Sequence, residues 1–325
     1  MSKDNKFRTM IGGQALIEGI MMRGPDKMAY VVRTPNGLQT KEKKLKSPKE
    51  KFFLLRWPLI RGVVNFGSSM AEGMRAISWS AEFFVEEDEE TPAETESKAS
   101  KFSLWLDKVL SSEKAQKVVM TIAMAMGLIL GLGLFMLLPA FLTGLFKDAL
   151  QISGVVRNLV EALVRLIILL TYMVMVSRIK DIKRVFAYHG AEHKTIACYE
   201  AGAELTVDNV RGYSRFHPRC GTSFLFMVVF VSILVFSIMV PFDDMLIRVA
   251  SRLLLLPVVV AITYELNRFI GRHDNWLTRF LRAPGLWMQR LTTNEPDDSM
   301  IEVGLESLKM VLPDKEGADE WGRNN

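Results

Sequence analysis

Apolar and polar residues are unevenly distributed along this chain. Residues 118–146 contain no charged side chain, a run of 29 positions, which is enough helix to cross roughly 30 Å of hydrocarbon. A second stretch, about 155–177, is uniformly apolar only over 166–177. Its first half carries Arg157, Glu161 and Arg165 at four-residue spacing. That spacing fits charges paired along one helix face and turned into a bundle, and equally a helix that starts outside the hydrocarbon and enters it at Leu163. A third run covers about 222–240 and ends at Pro241 and Phe242. A fourth covers about 246–266, with Arg248 and Arg252 near one end and Pro257 placed to kink it. The pattern predicts an α-helical integral membrane protein with about four transmembrane helices.

The remaining segments read differently. Residues 1–50 form a basic, Gly-rich arm with a small β element. Within it, 11–19 is strand-like, 29–34 is a strand, Pro35-Asn36-Gly37 a turn, and 38–43 the returning strand. Residues 51–85 are apolar but interrupted by Arg56, Arg61, Glu72, Arg75 and Glu82, a pattern for an amphipathic helix at the membrane surface or on the soluble lobe. Residues 86–99 are an acidic linker, and 100–177 hold an amphipathic lead-in helix and the first two spans. Residues 178–221 are polar and rich in His, Glu and Cys. Spans three and four fill 222–266, and 267–325 form a tail with an interfacial helix at 284–291 and an amphipathic helix at 300–310. The expected soluble part is a mixed α/β lobe built from 1–50, 178–220 and the tail.

Charge adds a direction. Arg178, Lys180, Lys183 and Arg184 follow the second span at once, and the positive-inside rule places them in the cytoplasm. Four spans then put both termini there. The formal net charge of +5 sets topology or meets anionic lipid, and there is no specific nucleic-acid motif. Arg211, Arg215 and Arg219 are expected to face lipid headgroups. Two cysteines, Cys198 and Cys220, exclude a disulfide framework and lie on the reducing side. The start of the chain lacks a signal-peptide pattern. No phosphate-binding loop, dinucleotide fingerprint or serine nucleophile elbow is present.

The chemistry concentrates at 189–200. On a helix His189 and His193 share a face, and Glu200, two turns further, rejoins it. Two imidazoles and a carboxylate on one stripe suit a divalent metal, zinc above all. Cys198 falls on the opposite side. A second cluster, His217-Pro218-Arg219-Cys220-Gly221-Thr222, offers a further imidazole and thiolate. The candidate ligands are therefore His189, His193, Glu200, His217 and Cys220. Four filled positions would make the site structural, and one left open would make it catalytic. His-x-x-Glu-His is also the short pattern of inverted zinc peptidases, in which the Glu activates water. Glu192 is then the candidate catalytic base, although from its place about 100° around the helix from His193 it could equally orient that ring or make an ion pair. The histidines are also explained as a hydrogen-bonding pair near headgroups.

Several segments together resemble the YqhQ family of bacterial membrane proteins: 12–25, opening Gly12-Gly13-Gln14-Ala15; Pro58-Leu59-Ile60-Arg61-Gly62; His189-Gly190-Ala191-Glu192-His193-Lys194 with Glu200; 217–223; and 291–296. That family has no known function and is described as predicted metal-dependent enzymes. The resemblance implies an integral protein of the bacterial cytoplasmic membrane and names no substrate. Two functions follow as expectations. One is a metal-dependent membrane hydrolase acting at the cytoplasmic face on a lipid-linked or membrane-embedded substrate, with membrane lipid as its partner. The other is a non-enzymatic assembly or translocation-associated factor that holds other membrane proteins, the translocon or the ribosome.

Overall fold

The structure, a computed structural model, describes residues 7–45, 57–84, 113–146, 154–238, 244–273, 275–315 and 317–321. The acidic linker and most of the lead-in helix lie outside these residues. Four strands, β1 Gly12–Leu16, β2 Gly19–Arg23, β3 Lys27–Thr34 and β4 Gly37–Lys44, form an antiparallel meander in sequence order. The hairpin expected around Pro35 is β3–β4, closed between Thr34 and Gly37, whose φ of 111° needs glycine. β2 is an addition to the expected strands. It pairs with β1 across a two-residue turn at Ile17 and Glu18.

Alternation along the strands divides the sheet into two apolar faces. Ile20, Met22, Ala29 and Val31 point to one side, and Leu16, Met21, Met28, Tyr30 and Val32 to the other. The second face is covered by α1, Pro58–Glu82, through Ala76, Trp79 and Phe83. Proline at the first helical position of α1 starts that helix at no hydrogen-bond cost. β4 is exposed along its whole length and carries Lys41, Lys43 and Lys44, which discourages pairing with another chain.

Next come α2, Glu113–Leu132, a π-helical turn at Gly133–Leu137, and α3, Leu138–Leu145. They are followed by α4, Gly154–Val176, and α5, Lys180–Glu200. The short α6, Val207–Arg211, leads to α7, Gly221–Ile238, and α8, Met245–Arg272. The tail holds α9, Trp276–Thr292, and α10, Asp298–Val311. α5 and α10 cover the first face of the sheet, where Tyr188, Ala191, Ile196, Val303 and Leu308 complete the core.

Among the described residues, three stretches have the length and hydropathy of a membrane span: Thr121–Leu145, Val156–Val176 and Leu246–Arg272. The sequence led us to expect about four. The other candidate, α7, is apolar throughout its described length, Gly221–Ile238. Arg157, Glu161 and Arg165 are buried, so they face the bundle and not its outside. The tail also differs from expectation. Pro284 lies inside α9, which starts at Trp276 behind an Asn275–Thr278 capping box.

α1 ties the sheet to the apolar bundle. Arg61 grips Glu265 of α8 with two bonds of 2.6 and 2.5 Å, and Asn65 reaches Tyr264 at 2.8 Å. On the other side of the lobe, Gly190 lets the tail backbone lie directly against α5. A Cβ there would fall inside contact distance of the Asn294 carbonyl oxygen, beside the bond from Asn294 N–H to Phe186 O at 2.8 Å. Gly190→Ala is expected to destabilise the lobe by about 1–3 kcal/mol through overpacking. Thermal unfolding of the full chain in detergent checks this, and an unchanged melting curve would contradict the close packing.

Candidate metal centre

α5 is an uncommonly buried helix: from Ala187 to Glu200 nearly every side chain is covered. One stripe of it, with His189, Glu192, His193 and Ile196, faces a cavity of about 280 Å³. The opposite wall comes from the start of β1 (Gly12, Gly13 and Gln14), from Arg23, and from Ser69 and Glu72 of α1. The loop before α7 closes the end with His217, Arg219 and Cys220.

Among the described residues, one group of His, Cys, Asp and Glu brings its ligand atoms together: His189, His193 and Cys220, all within 4.8 Å of one another. The His189 and His193 rings meet edge to face at 4.4 Å. His189 Nδ1 is 2.8 Å from the Thr292 carbonyl, and His193 Nδ1 is 2.5 Å from the Arg215 carbonyl. A carbonyl only accepts, so both Nδ1 atoms carry the proton and donate it. Both Nε2 atoms are thereby left for another partner. His189 Nε2 faces Cys220 Sγ at 3.1 Å.

The sulfur has its own donors, with Thr222 Oγ1 at 3.2 Å and Thr222 N–H at 3.4 Å. It sits where α7 begins, so the helix N-terminus favours negative charge on it. Burial favours the neutral thiol, but His193 and His189 outweigh it and hold Cys220 well below the ordinary thiol range. For His189, burial opposes the charged ring, yet the Cys220 sulfur and then Glu192 lift it to about 9. Both shifts describe a thiolate beside an imidazolium.

Glu192 is buried on the cavity wall and accepts Gly13 N–H at 2.8 Å. Only glycine fits at 13: a Cβ would strike the Met21 carbonyl and press on the Glu192 carboxyl group at 3.2 Å. Burial pushes the Glu192 carboxyl up, with His193 and His189 pulling the other way.

Glu200 and His217 stand apart from the three-atom group. Glu200 accepts from Thr9 N–H at 2.9 Å, pairs with Arg219, and has His217 Nε2 at 3.5 Å. The His217 backbone is fixed by Gln289 of α9, which both accepts at 2.8 Å and donates at 2.7 Å. The His217 ring lies 5.6 Å from that of His193. Burial, with the charges of Arg219 and His193, lowers its pKa despite Glu200. Cys198 is on the far side of α5, packed with Val210, Ile301 and Leu305.

The three arginines expected at headgroups are engaged with carboxylates. Arg211 pairs with Asp298 at 2.8 Å, Arg215 with Glu295 at 3.6 Å, and Arg219 with the buried Glu200. Thr9 and Gln289, which the sequence did not single out, and Gly13 and Thr292, which stood out only within segments of the resemblance, hold the site through backbone atoms or one amide.

Burial opposes ionisation of Glu200, but the His217 bond and Arg219 outweigh it and depress its pKa below the ordinary value of 4.5. A depressed carboxylate stabilises the fold above that value, and this stability is lost as pH falls through the folded pKa. Glu200→Gln leaves Arg219 without its buried partner and is expected to cost about 3–5 kcal/mol at neutral pH. Melting temperatures of wild type and variant between pH 3.5 and pH 8 test this. The gap should be widest at neutral pH and narrow in acid; equal melting at pH 7 would remove Glu200 as the fastener of this loop.

A family model described as a protein of unknown function, DUF1385, matches residues 57–314. The chain is 33% identical over 316 residues to the uncharacterized protein YqhQ of Bacillus subtilis (strain 168), covering 96% of this chain and 95% of that protein. No solved structure matches.

Proposed function

Since the chain belongs to the DUF1385 family, a family of unknown function, we propose from the chemistry of the cluster that it is a metal-dependent hydrolase. Its place would be the bacterial cytoplasmic membrane, and its substrate a lipid-linked phosphate or another membrane-embedded molecule taken at the cytoplasmic face. One observation carries the reading. Both Nδ1 atoms are committed to carbonyls, so His189 Nε2 and the Cys220 sulfur are two electron-rich atoms 3.1 Å apart that need a cation or a proton between them.

The donor set fits zinc: two imidazoles oriented by backbone carbonyls and one thiolate. His189, His193 and Cys220 would hold the ion, leaving a position open toward the cavity. A divalent ion there supplies Lewis acidity toward a substrate oxygen. Glu192 takes a proton from the attacking water and delivers it to the leaving group. Gly13 N–H holds one of its carboxylate oxygens, so the other handles the proton. Burial makes the carboxylate a stronger base than an exposed one. Glu200 and His217, counted among the ligands from sequence, instead steady the loop that carries Cys220.

The membrane setting rests on the three long apolar helices, of which Thr121–Leu145 is only 6% buried and so needs cover other than water. Arg178, Lys180, Lys183 and Arg184, just before and within the start of α5, orient the catalytic end toward the cytoplasm. α1 lines the cavity with Ser69 and Glu72 and exposes Leu59, Val63, Met70, Met74 and Ile77 outward, so a lipid chain can lie beside the site. The alternative, a non-enzymatic assembly or translocation-associated factor, would use the cluster as a closed fastener. A cavity with Glu192 on its wall favours the enzyme.

Metal analysis of the detergent-purified chain by plasma mass spectrometry is the first test. We expect about one zinc per chain, lost in His193→Ala and Cys220→Ala and kept in Glu192→Gln. Phosphate release from lipid-linked diphosphates should fall by about two to four orders of magnitude in Glu192→Gln. Folded, zinc-supplemented wild type without stoichiometric metal would sink the mechanism. Metal kept in full by Glu192→Gln together with unimpaired turnover would remove Glu192 as the base.

A further inference from the structure

A second polar cluster lies in the apolar bundle. Arg157, Glu161 and Arg165 of α4 and Arg248 and Arg252 of α8 are each more than nine-tenths buried. Ser232 of α7, which joins them, is twelve residues beyond Cys220, about 18 Å along the helix. This cluster is therefore at the other end of the bundle, and nothing about it depends on the hydrolase reading.

Its bonds are few for its charges. Glu161 Oε1 accepts from Arg252 and from Arg165 Nη2 at 3.3 Å. Arg165 also donates through Nε to the Phe135 carbonyl in the π-helical turn at 2.9 Å, and through Nη1 to Ser232 Oγ at 3.3 Å. Its guanidinium and that of Arg252 sit over the Phe236 ring, 5.6 and 5.4 Å from the centroid. Among the described residues Arg248 bonds through Nη2 to the Ala140 carbonyl at 3.3 Å. Arg248 Nε and Nη1 and Glu161 Oε2 are buried without a partner among the described residues.

Arg165, Arg248 and Arg252 carry three positive charges, and Glu161 returns one. Arg157 adds a fourth guanidinium one turn from Glu161. Even with Arg157 left out, an excess of two positive charges among the described residues of the cluster is costly between apolar helices, and carbonyl bonds do not cancel it. Water could fill the missing bonds but would leave the charge. A phosphate group answers all three demands. It carries about one to two negative charges near neutral pH, offers several acceptor oxygens to the Arg248 nitrogens and, as free phosphate or a phosphomonoester headgroup, donates its remaining P–OH to Glu161 Oε2. We propose that this end of the bundle is a phosphate-binding site for a lipid headgroup or free phosphate, with Arg248 as its principal unsatisfied donor and Glu161 setting its net charge.

The test uses the full chain in detergent. Phosphorus retained after purification is split into organic-extractable and aqueous fractions, which separates a lipid headgroup from free phosphate. Binding of inorganic phosphate to lipid-stripped protein is then followed by the rise in melting temperature, against chloride at equal ionic strength. We expect phosphate to stabilise the wild type where chloride does not, with affinity at least about tenfold weaker in Arg248→Gln. Glu161→Gln raises the positive excess at nearly constant shape, so its phosphate response should grow; this keeps the idea testable if Arg248→Gln fails to fold. A wild type that retains no phosphorus and melts alike in both salts would overturn the proposal. So would a folded Arg248→Gln that binds like wild type, or a folded Glu161→Gln whose response is unchanged or weaker.

Discussion

Two carbonyl oxygens govern the chemistry of this protein. An amide carbonyl accepts and never donates, so the Thr292 and Arg215 carbonyls commit the Nδ1 protons of His189 and His193. Every consequence at the centre follows from that commitment. The Nε2 atoms are left with their backs to the backbone, the Cys220 sulfur is within 3.1 Å of one of them, and a positive charge is needed where they meet. Thr292 ends α9, and Arg215 lies in the loop before α7. The centre therefore exists only when the tail, the loop and α5 are docked together.

That docking explains why α5 is buried almost all around. The sheet and α10 cover one side, through Tyr188, Ala191, Ile196, Val303 and Leu308. The tail backbone lies against Gly190, and Gln289 anchors the loop by both faces of its amide. The turn between β1 and β2 reaches the same helix from its other end. Glu18, held at a φ of 48°, grips Arg184 with two short bonds and Tyr188 at 3.2 Å. A non-glycine residue at positive φ is strained, and here the strain is offset by an ion pair that sets the sheet on α5. Segments far apart in sequence are thus fixed to one helix by polar contacts at both of its ends.

Sequence made part of this legible, in physical terms. Long uncharged runs demand helices, and Pro35-Asn36-Gly37 between alternating residues demands a hairpin; both leave a mark on composition. Imidazole and thiolate are rare enough that His189, His193 and Cys220 draw attention wherever they cluster. β2 escaped because Ile20, Met21 and Met22 are all buried, so the strand shows no alternation. The start of α9 escaped because a proline usually marks a helix beginning, whereas Pro284 sits within one. The carbonyls of Thr292 and Arg215 carry no side-chain identity, so no pattern of residue types announces them. Periodicity put Glu200 on the stripe of His189 and His193, but not the Arg219 and Thr9 contacts that draw it to the end of the site.

The two buried polar clusters differ in how completely they are satisfied. Around the Cys220 loop, His189, Glu192, Glu200 and the sulfur each have a partner at bonding distance, and the opposite charges of Glu200 and Arg219 cancel. In the bundle, a π-helical turn in the α2–α3 helix presents the Phe135 carbonyl to Arg165, yet two Arg248 nitrogens have no partner among the described residues. Bundle stability alone would favour apolar residues at these positions, since replacing buried ion pairs by packed hydrophobes is commonly neutral or stabilising. Arginines kept in an apolar bundle with donors to spare are better explained by a charge they receive than by the contacts they already make.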